Sequence, residues 1–156
     1  MLTTTRRVAL SASLAAGLAL AGAGSAVAAP PADAGKRLST TLTPAEEVAP
    51  FSGIAGASGQ ADLRLNIGQG RICVDLTTSS FDLALAHIHE GAAGTNGGVV
   101  VDFSSLISGD SAVGCVDVER ALVKEISQDP ADYYVNTHAG LPPTAGFFQG
   151  IRGQLG

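Results

Sequence analysis

The chain has 156 residues, enough for one domain, and carries nine basic against fourteen acidic residues for a formal charge of −5. That acidity argues against nucleic-acid binding and against a role on an anionic membrane, since both want a positive surface.

The amino terminus reads as a secretory signal over residues 1–28. Arg6 and Arg7 precede a mostly apolar run from Val8 to Ala21, and Ala26-Val27-Ala28 is a small-x-small cleavage site. Thr5-Arg6-Arg7 leaves the twin-arginine route open beside the general one. Cleavage near Ala28 predicts a secreted protein, and losing the two arginines leaves seven basic and fourteen acidic residues, a formal charge of −7. Nothing beyond residue 28 is apolar for long enough to span a bilayer.

Residues 29–37 are rich in Pro, Ala and Gly and read as a flexible lead-in. The domain itself is expected over 38–156. Leu38–Thr43 is the first expected strand, and residues 44–59 an irregular connection containing Glu46 and Glu47. Ala61–Asn66 and Arg71–Thr77 alternate apolar and polar residues around the turn Ile67-Gly-Gln-Gly70, which predicts a hairpin. Leu83–Glu90 is the next strand, and residues 91–98, half of them glycine, form a loop. Val99–Phe103 has the continuous apolar character of a buried strand, Ser104–Asp110 is turn-like, and Val113–Val116 is a short strand.

A single helix is expected over 118–127, with Asp117 as its N-cap and Val118, Leu122, Val123 and Ile126 on one face. Asp129-Pro130 ends it. Asp132–His138 is a strand, residues 141–146 a loop, and Phe147–Leu155 the last strand. About eight strands with one short helix predict an all-β fold, an antiparallel β-sandwich or a barrel-like sandwich. No glycine-rich phosphate loop opens a helix, which excludes a nucleotide-binding α/β fold.

Both cysteines, Cys73 and Cys115, lie in the exported portion, and an oxidising compartment predicts a disulfide between them. The histidines fall in two short segments, His87-Ile88-His89-Glu90-Gly91 and Tyr133-Tyr134-Val135-Asn136-Thr137-His138. The two-residue period of a strand puts His87 and His89 on one face. With His138 they form a set that could ligate copper or zinc, since imidazole suits both. Glu90 could orient a ligand from behind, although a regular strand turns it the other way. The competing reading, placed ahead of the metal, is a structural cluster. Leu83 and Leu85 share the odd-numbered face with the histidines and point it toward the core, where polar groups need only be hydrogen-bonded.

Asn136 and Arg152 lie on strand faces with Tyr134, His138 and Gln154. They suggest either an anion pocket, with Arg152 as the forked donor, or a salt bridge from Arg152 to Glu47 or Glu90; the salt bridge is preferred. Of the adjacent Glu46 and Glu47, one is expected to be solvated and the other paired with a cation. Gly-x-Ser-x-Gly is absent, and no serine is placed beside a histidine by any motif.

Several of these segments occur in a characteristic order: Glu47-Val48 with Pro50, His87–Gly91, Gly94-x-Asn96-Gly97-x-Val99-Val100, Tyr134-Val135-Asn136-x-His138 and Ile151-Arg152-Gly153-Gln154-Leu155. The set resembles the CHRD domain, first named from chordin, over roughly residues 38–156. The resemblance implies an exported, β-rich, non-catalytic module. His87-Ile88-His89-Glu90 is also similar to the copper-binding His-Val-His-Glu strand of copper/zinc superoxide dismutase, another β-sandwich with an internal disulfide. Three histidines are too few for that enzyme's bridged copper and zinc site, and its long zinc-binding loop is missing.

The expectation is therefore a secreted binding or structural module, not an enzyme, needing no cofactor. Its partner would be an extracellular protein or a cell-envelope component. The alternative is an extracellular copper or zinc protein with His87, His89 and His138 as ligands and superoxide dismutase-like activity.

Overall fold

A computed structural model describes residues 35–139 and 149–156. The expected signal, residues 29–34 of the lead-in, the loop 141–146 and the first two residues of the last expected strand lie outside them. Among the described residues the strands are β1 (Lys36–Leu42), β2 (Ser52–Gly53), β3 (Gly59–Asn66), β4 (Arg71–Thr78), β5 (Leu83–Glu90), β6 (Val99–Asp102), β7 (Ile107–Ser108), β8 (Ser111–Asp117), β9 (Tyr133–Ala139) and β10 (Gln149–Gln154). One α-helix, α1, spans Arg120–Gln128.

The strands form two five-stranded sheets, in the orders β1-β3-β4-β8-β7 and β2-β10-β9-β5-β6. The fold is thus an all-β sandwich, with the strands divided between two sheets instead of closing into one barrel. All pairings are antiparallel except the two-residue contact of β2 with β10, which is parallel. Strand β1 begins at Lys36, inside the expected lead-in, because it pairs with β3 from Lys36↔Leu65 onward. Just past β1 the chain changes sheets: Thr43 and Arg152 exchange both backbone hydrogen bonds, at 2.9 and 3.1 Å.

The core lies between the sheets. Leu63, Leu65, Ile72 and Leu76 from the first sheet meet Ala86, Ile88, Val101, Val135 and Ile151 from the second. Each fully buried aliphatic side chain of this kind contributes about 1.5–3 kcal/mol. Cys73 and Cys115 stand directly opposite each other on β4 and β8 and form the expected disulfide, with an S–S distance of 2.06 Å. Their neighbours Ile72 and Val74 point into the core, so the bridge crosses the outer face of the first sheet.

Helix α1 starts two residues later than predicted, and Asp117 is not its cap. Residue 119 takes the N-cap position without a side-chain cap bond. Two competing partners explain the shift. Val118 donates its N–H to Gly70 O at 2.8 Å, which keeps it out of the helix, and the Asp117 carboxylate is held by Arg71 on β4 at 2.8 Å. The apolar face is as expected: Val123 and Ile126 are buried, with Val118 and Leu122 packed beside them.

Contrary to expectation, the histidine face of β5 does not enter the core. Leu83 is buried among the core residues, but a register shift between Leu83 and Leu85 reverses the alternation. From there on Ala86 and Ile88 point inward, while Leu85, His87 and His89 point to the outer face of the second sheet. One extra residue in a strand moves every following side chain to the other face.

Candidate functional site

The outer face of the second sheet presents rows of directly opposed residues. His87 on β5 faces Asn136 on β9, and Asn136 faces Arg152 on β10. In the next row His89 faces Tyr134, and Tyr134 faces Gln154. On the other side of the first row, Leu85 faces His138, and His138 faces Gly150. Since opposed Cβ atoms lie about 4.5–5.5 Å apart, register alone gathers three imidazoles, an amide and a guanidinium.

The ligand-capable nitrogens of His87, His89 and His138 all lie within 4.8 Å of one another. Two nitrogens each 2.0–2.1 Å from a tetrahedral ion would be about 3.4 Å apart. The widest spacing exceeds this by about an ångström. The ring centroid of His87 lies 5.6 Å from that of His89 and 5.9 Å from that of His138.

Two of the rings are oriented from behind. His89 Nδ1 lies 3.0 Å from Gly97 O. A carbonyl oxygen can only accept, so Nδ1 carries the hydrogen and the neutral ring keeps its lone pair on Nε2. That Nε2 is buried and has no hydrogen-bond partner among the described residues. His87 Nε2 lies 3.6 Å from Asp102 Oδ1 and 3.5 Å from Ser104 Oγ, while its Nδ1 is buried and without a partner among the described residues. A histidine backed by a carbonyl or carboxylate, with its other nitrogen left without a protein partner, is the arrangement in which imidazole ligates metals.

Burial depresses the pKa of all three histidines. For His138 the value falls to about 4, through burial first and then the neighbouring His87 and His89. For His87 burial leads, opposed by the Asp102 charge; for His89 burial leads, opposed by the Gly97 hydrogen bond. All three rings are therefore neutral at pH 7, the form that binds metal.

The loop 91–98 closes over this face. Gly94 adopts φ +77°, where glycine is favoured. Gly97 passes so close to β5 that an added Cβ would meet Glu90 O at 1.5 Å. Asn96 donates to Val48 O and Ala49 O at 3.3 and 2.9 Å, tying the loop to the segment after Glu47. The small cavity beneath has a volume of about 220 Å³ and is lined by the three histidines with Phe51, Leu85, Val99 and Asn136 among others.

Arg152 is 1% exposed. Its guanidinium donates to Thr95 O at 2.7 Å, Ala92 O at 3.2 Å and Gln154 Oε1 at 3.1 Å. Its hydrogen bonds thus run to the loop and to Gln154 instead of making the expected salt bridge to Glu47 or Glu90. Glu47 acts on Arg152 only as a nearby charge. Its own carboxyl is pushed up to about 7 by burial, against the opposing pull of Arg152 and of a hydrogen bond from Asn136. Glu46 is exposed, as expected for one of the pair.

The structure therefore gathers Glu47, Asn136 and Arg152 beside the three histidines and leaves out Glu90. That residue is exposed at the end of β5, and it is its backbone that engages the loop, through Glu90 N–H to Gly98 O at 3.0 Å. The residues behind the histidines, Asp102 and Gly97, were not anticipated. Asp102 closes a run of valines, and only the pairing His87↔Asp102 gives it a role. The glycine-rich loop makes a close backbone approach at Gly97.

Among the described residues no helix is long and apolar enough to cross a membrane. The family model of the CHRD domain matches residues 38–155. No curated protein and no solved structure matches the chain.

Proposed function

The chain belongs to the CHRD family, and on that footing we propose that it is an exported, non-catalytic binding module whose own ligand is one copper or zinc ion, held by His87, His89 and His138. The observation that carries this reading is the convergence of the ligand-capable nitrogens of three imidazoles within 4.8 Å. The backing of His89 by Gly97 O and of His87 by Asp102 supports it, since in each ring the other nitrogen is buried and without a hydrogen-bond partner among the described residues. A purely structural role for the cluster has less support, because His87 Nδ1 and His89 Nε2 are buried without a hydrogen-bond partner among the described residues. Export is supported by the features of residues 1–28 and by the Cys73–Cys115 disulfide, a bond that persists in oxidising compartments. The further partner of such a module would be an extracellular protein or a cell-envelope component.

The test is elemental analysis of the mature protein, purified from its own host without a tag or chelator. About one equivalent of copper or zinc is expected, lost in His87→Ala and His89→Ala. A metal-free protein that also refuses added copper and zinc would refute the reading.

A further inference from the structure

Building on the metal reading, the geometry also bears on what completes the coordination shell. The cavity of about 220 Å³ is several times the roughly 30 Å³ share of one water molecule, so a bound ion leaves room for a small additional ligand. Phe51, Leu85 and Val99 give that space apolar walls, and Asn136 lines it as well. Asn136 stands directly opposite His87, and His138 lies two residues further along the same strand face. Its side chain therefore reaches into the same space as the rings.

Asn136 is 4% exposed, and its Oδ1 is buried with no hydrogen-bond partner among the described residues. The amide is held one way round by Glu47, whose carboxylate is stabilised by a hydrogen bond from the Asn136 side chain. Above about pH 7, where Glu47 is ionised, its carboxylate only accepts, so the NH₂ group faces Glu47 and the carbonyl end is left over. A buried carbonyl oxygen without a donor destabilises the protein, and a ligand that brings a hydrogen removes that cost.

We propose that the ion bound by His87, His89 and His138 keeps a fourth position open for a small protic oxygen ligand, water or hydroxide, whose hydrogen is accepted by Asn136 Oδ1. Such a ligand gives a lone pair to the ion and an O–H to the amide at once. An acceptor-only anion such as azide can coordinate the ion, but it must displace the water and leave Oδ1 unpaired. The site consequently discriminates in favour of ligands that donate a hydrogen, and Asn136 sets that preference.

The experiment uses the mature chain loaded with one equivalent of copper(II). Transfer into oxygen-17-enriched water should broaden the electron paramagnetic resonance lines of the wild-type protein through the directly bound oxygen. Copper uptake without broadening would overturn this inference and leave the metal reading standing; failure to take up copper would also overturn this inference, and failure to take up zinc as well would overturn the metal reading. Azide binding, followed by its charge-transfer absorption, then tests Asn136. In Asn136→Leu the water loses its acceptor, so azide should bind about tenfold more tightly than in wild type, the size of one hydrogen bond. Damage to the fold would lower copper stoichiometry instead of raising azide affinity. Should Asn136→Leu fail to hold copper, Asn136→Ala carries the same expectation. Azide affinity equal to or weaker than wild type, in a variant that still holds copper, would overturn the role of Asn136.

Discussion

The guanidinium carbon of Arg152 lies 3.3 Å from the centroid of the Tyr134 ring, and His89 stacks on the same ring at 4.9 Å with its plane tilted by only 8°. Tyr134 sits on β9, between the strand that carries His89 and the strand that carries Arg152. One ring thus couples a candidate metal ligand to the cation that holds the covering loop. Tyr134 also accepts from Gly97 N–H at 3.1 Å, and the carbonyl of that same residue orients His89.

Replacing Arg152 by Lys keeps the charge and removes the flat fork that reaches Thr95 O, Ala92 O and Gln154 together. A loss of about 1–3 kcal/mol in urea unfolding is expected. Faster amide exchange across residues 91–98 should accompany it. Exchange as slow as in wild type would show that the loop is held by something else.

Asp102 is exposed, but its carboxylate lies 3.6 Å from His87 Nε2 and accepts a hydrogen bond from Ser104 N–H at 2.7 Å. On the metal reading, Asp102→Asn should lower metal affinity by about 10- to 100-fold. Competition against a chromogenic chelator measures this. The melting temperature of the metal-free protein should scarcely move, since the residue lies outside the core. Unchanged affinity would show that His87 needs no carboxylate behind it.

Glu47 and His138 make opposite contributions to pH dependence in the metal-free protein. Burial raises Glu47 from its ordinary 4.5 to about 7, so the folded chain retains a proton there that the unfolded chain has released. Its contribution is full below pH 4.5 and is lost as pH rises through about 7. His138, depressed from 6.5 to about 4, contributes fully above pH 6.5 and loses that contribution as pH falls through about 4. Melting temperatures of Glu47→Gln should decline less than those of wild type between pH 5 and pH 8. Those of His138→Asn should decline less on acidification from pH 7 to pH 4. Profiles parallel to wild type in either variant would contradict the assigned burial of that group.

The Cys73–Cys115 bridge closes a separation of 42 residues on the outer face of the first sheet. Changing both cysteines to serine should cost about 2–4 kcal/mol, through a less restricted unfolded chain. Metal stoichiometry should not change, since the histidines lie on the other sheet. A double variant that unfolds at the same denaturant concentration as wild type would remove the bridge from the stability account.

The sequence by itself determined the local features. Alternation marked β3 and β4 to within a residue or two at each end, because a strand with one buried face must repeat every second residue; β5 and β9 were legible as strands, but not as one-sided ones. The same period put His87 with His89, and Asn136 with His138, on shared faces, and two cysteines in one chain allowed only one intramolecular pairing. What only the tertiary structure decided was which face looks where and what stands behind each ring. The irregularity between Leu83 and Leu85 sends Leu83 to the core and the histidines outward, although an unbroken alternation would join them. The pairings His87↔Asp102 and Arg152↔Asn136, the tether of Val118 to Gly70 that delays α1, and the loop carbonyls that replace Glu47 and Glu90 as partners of Arg152 are of the same kind. Periodicity records which side chains share a side, but the direction of that side depends on strand register and on the sheet packed against it, both set by residues far apart in the chain.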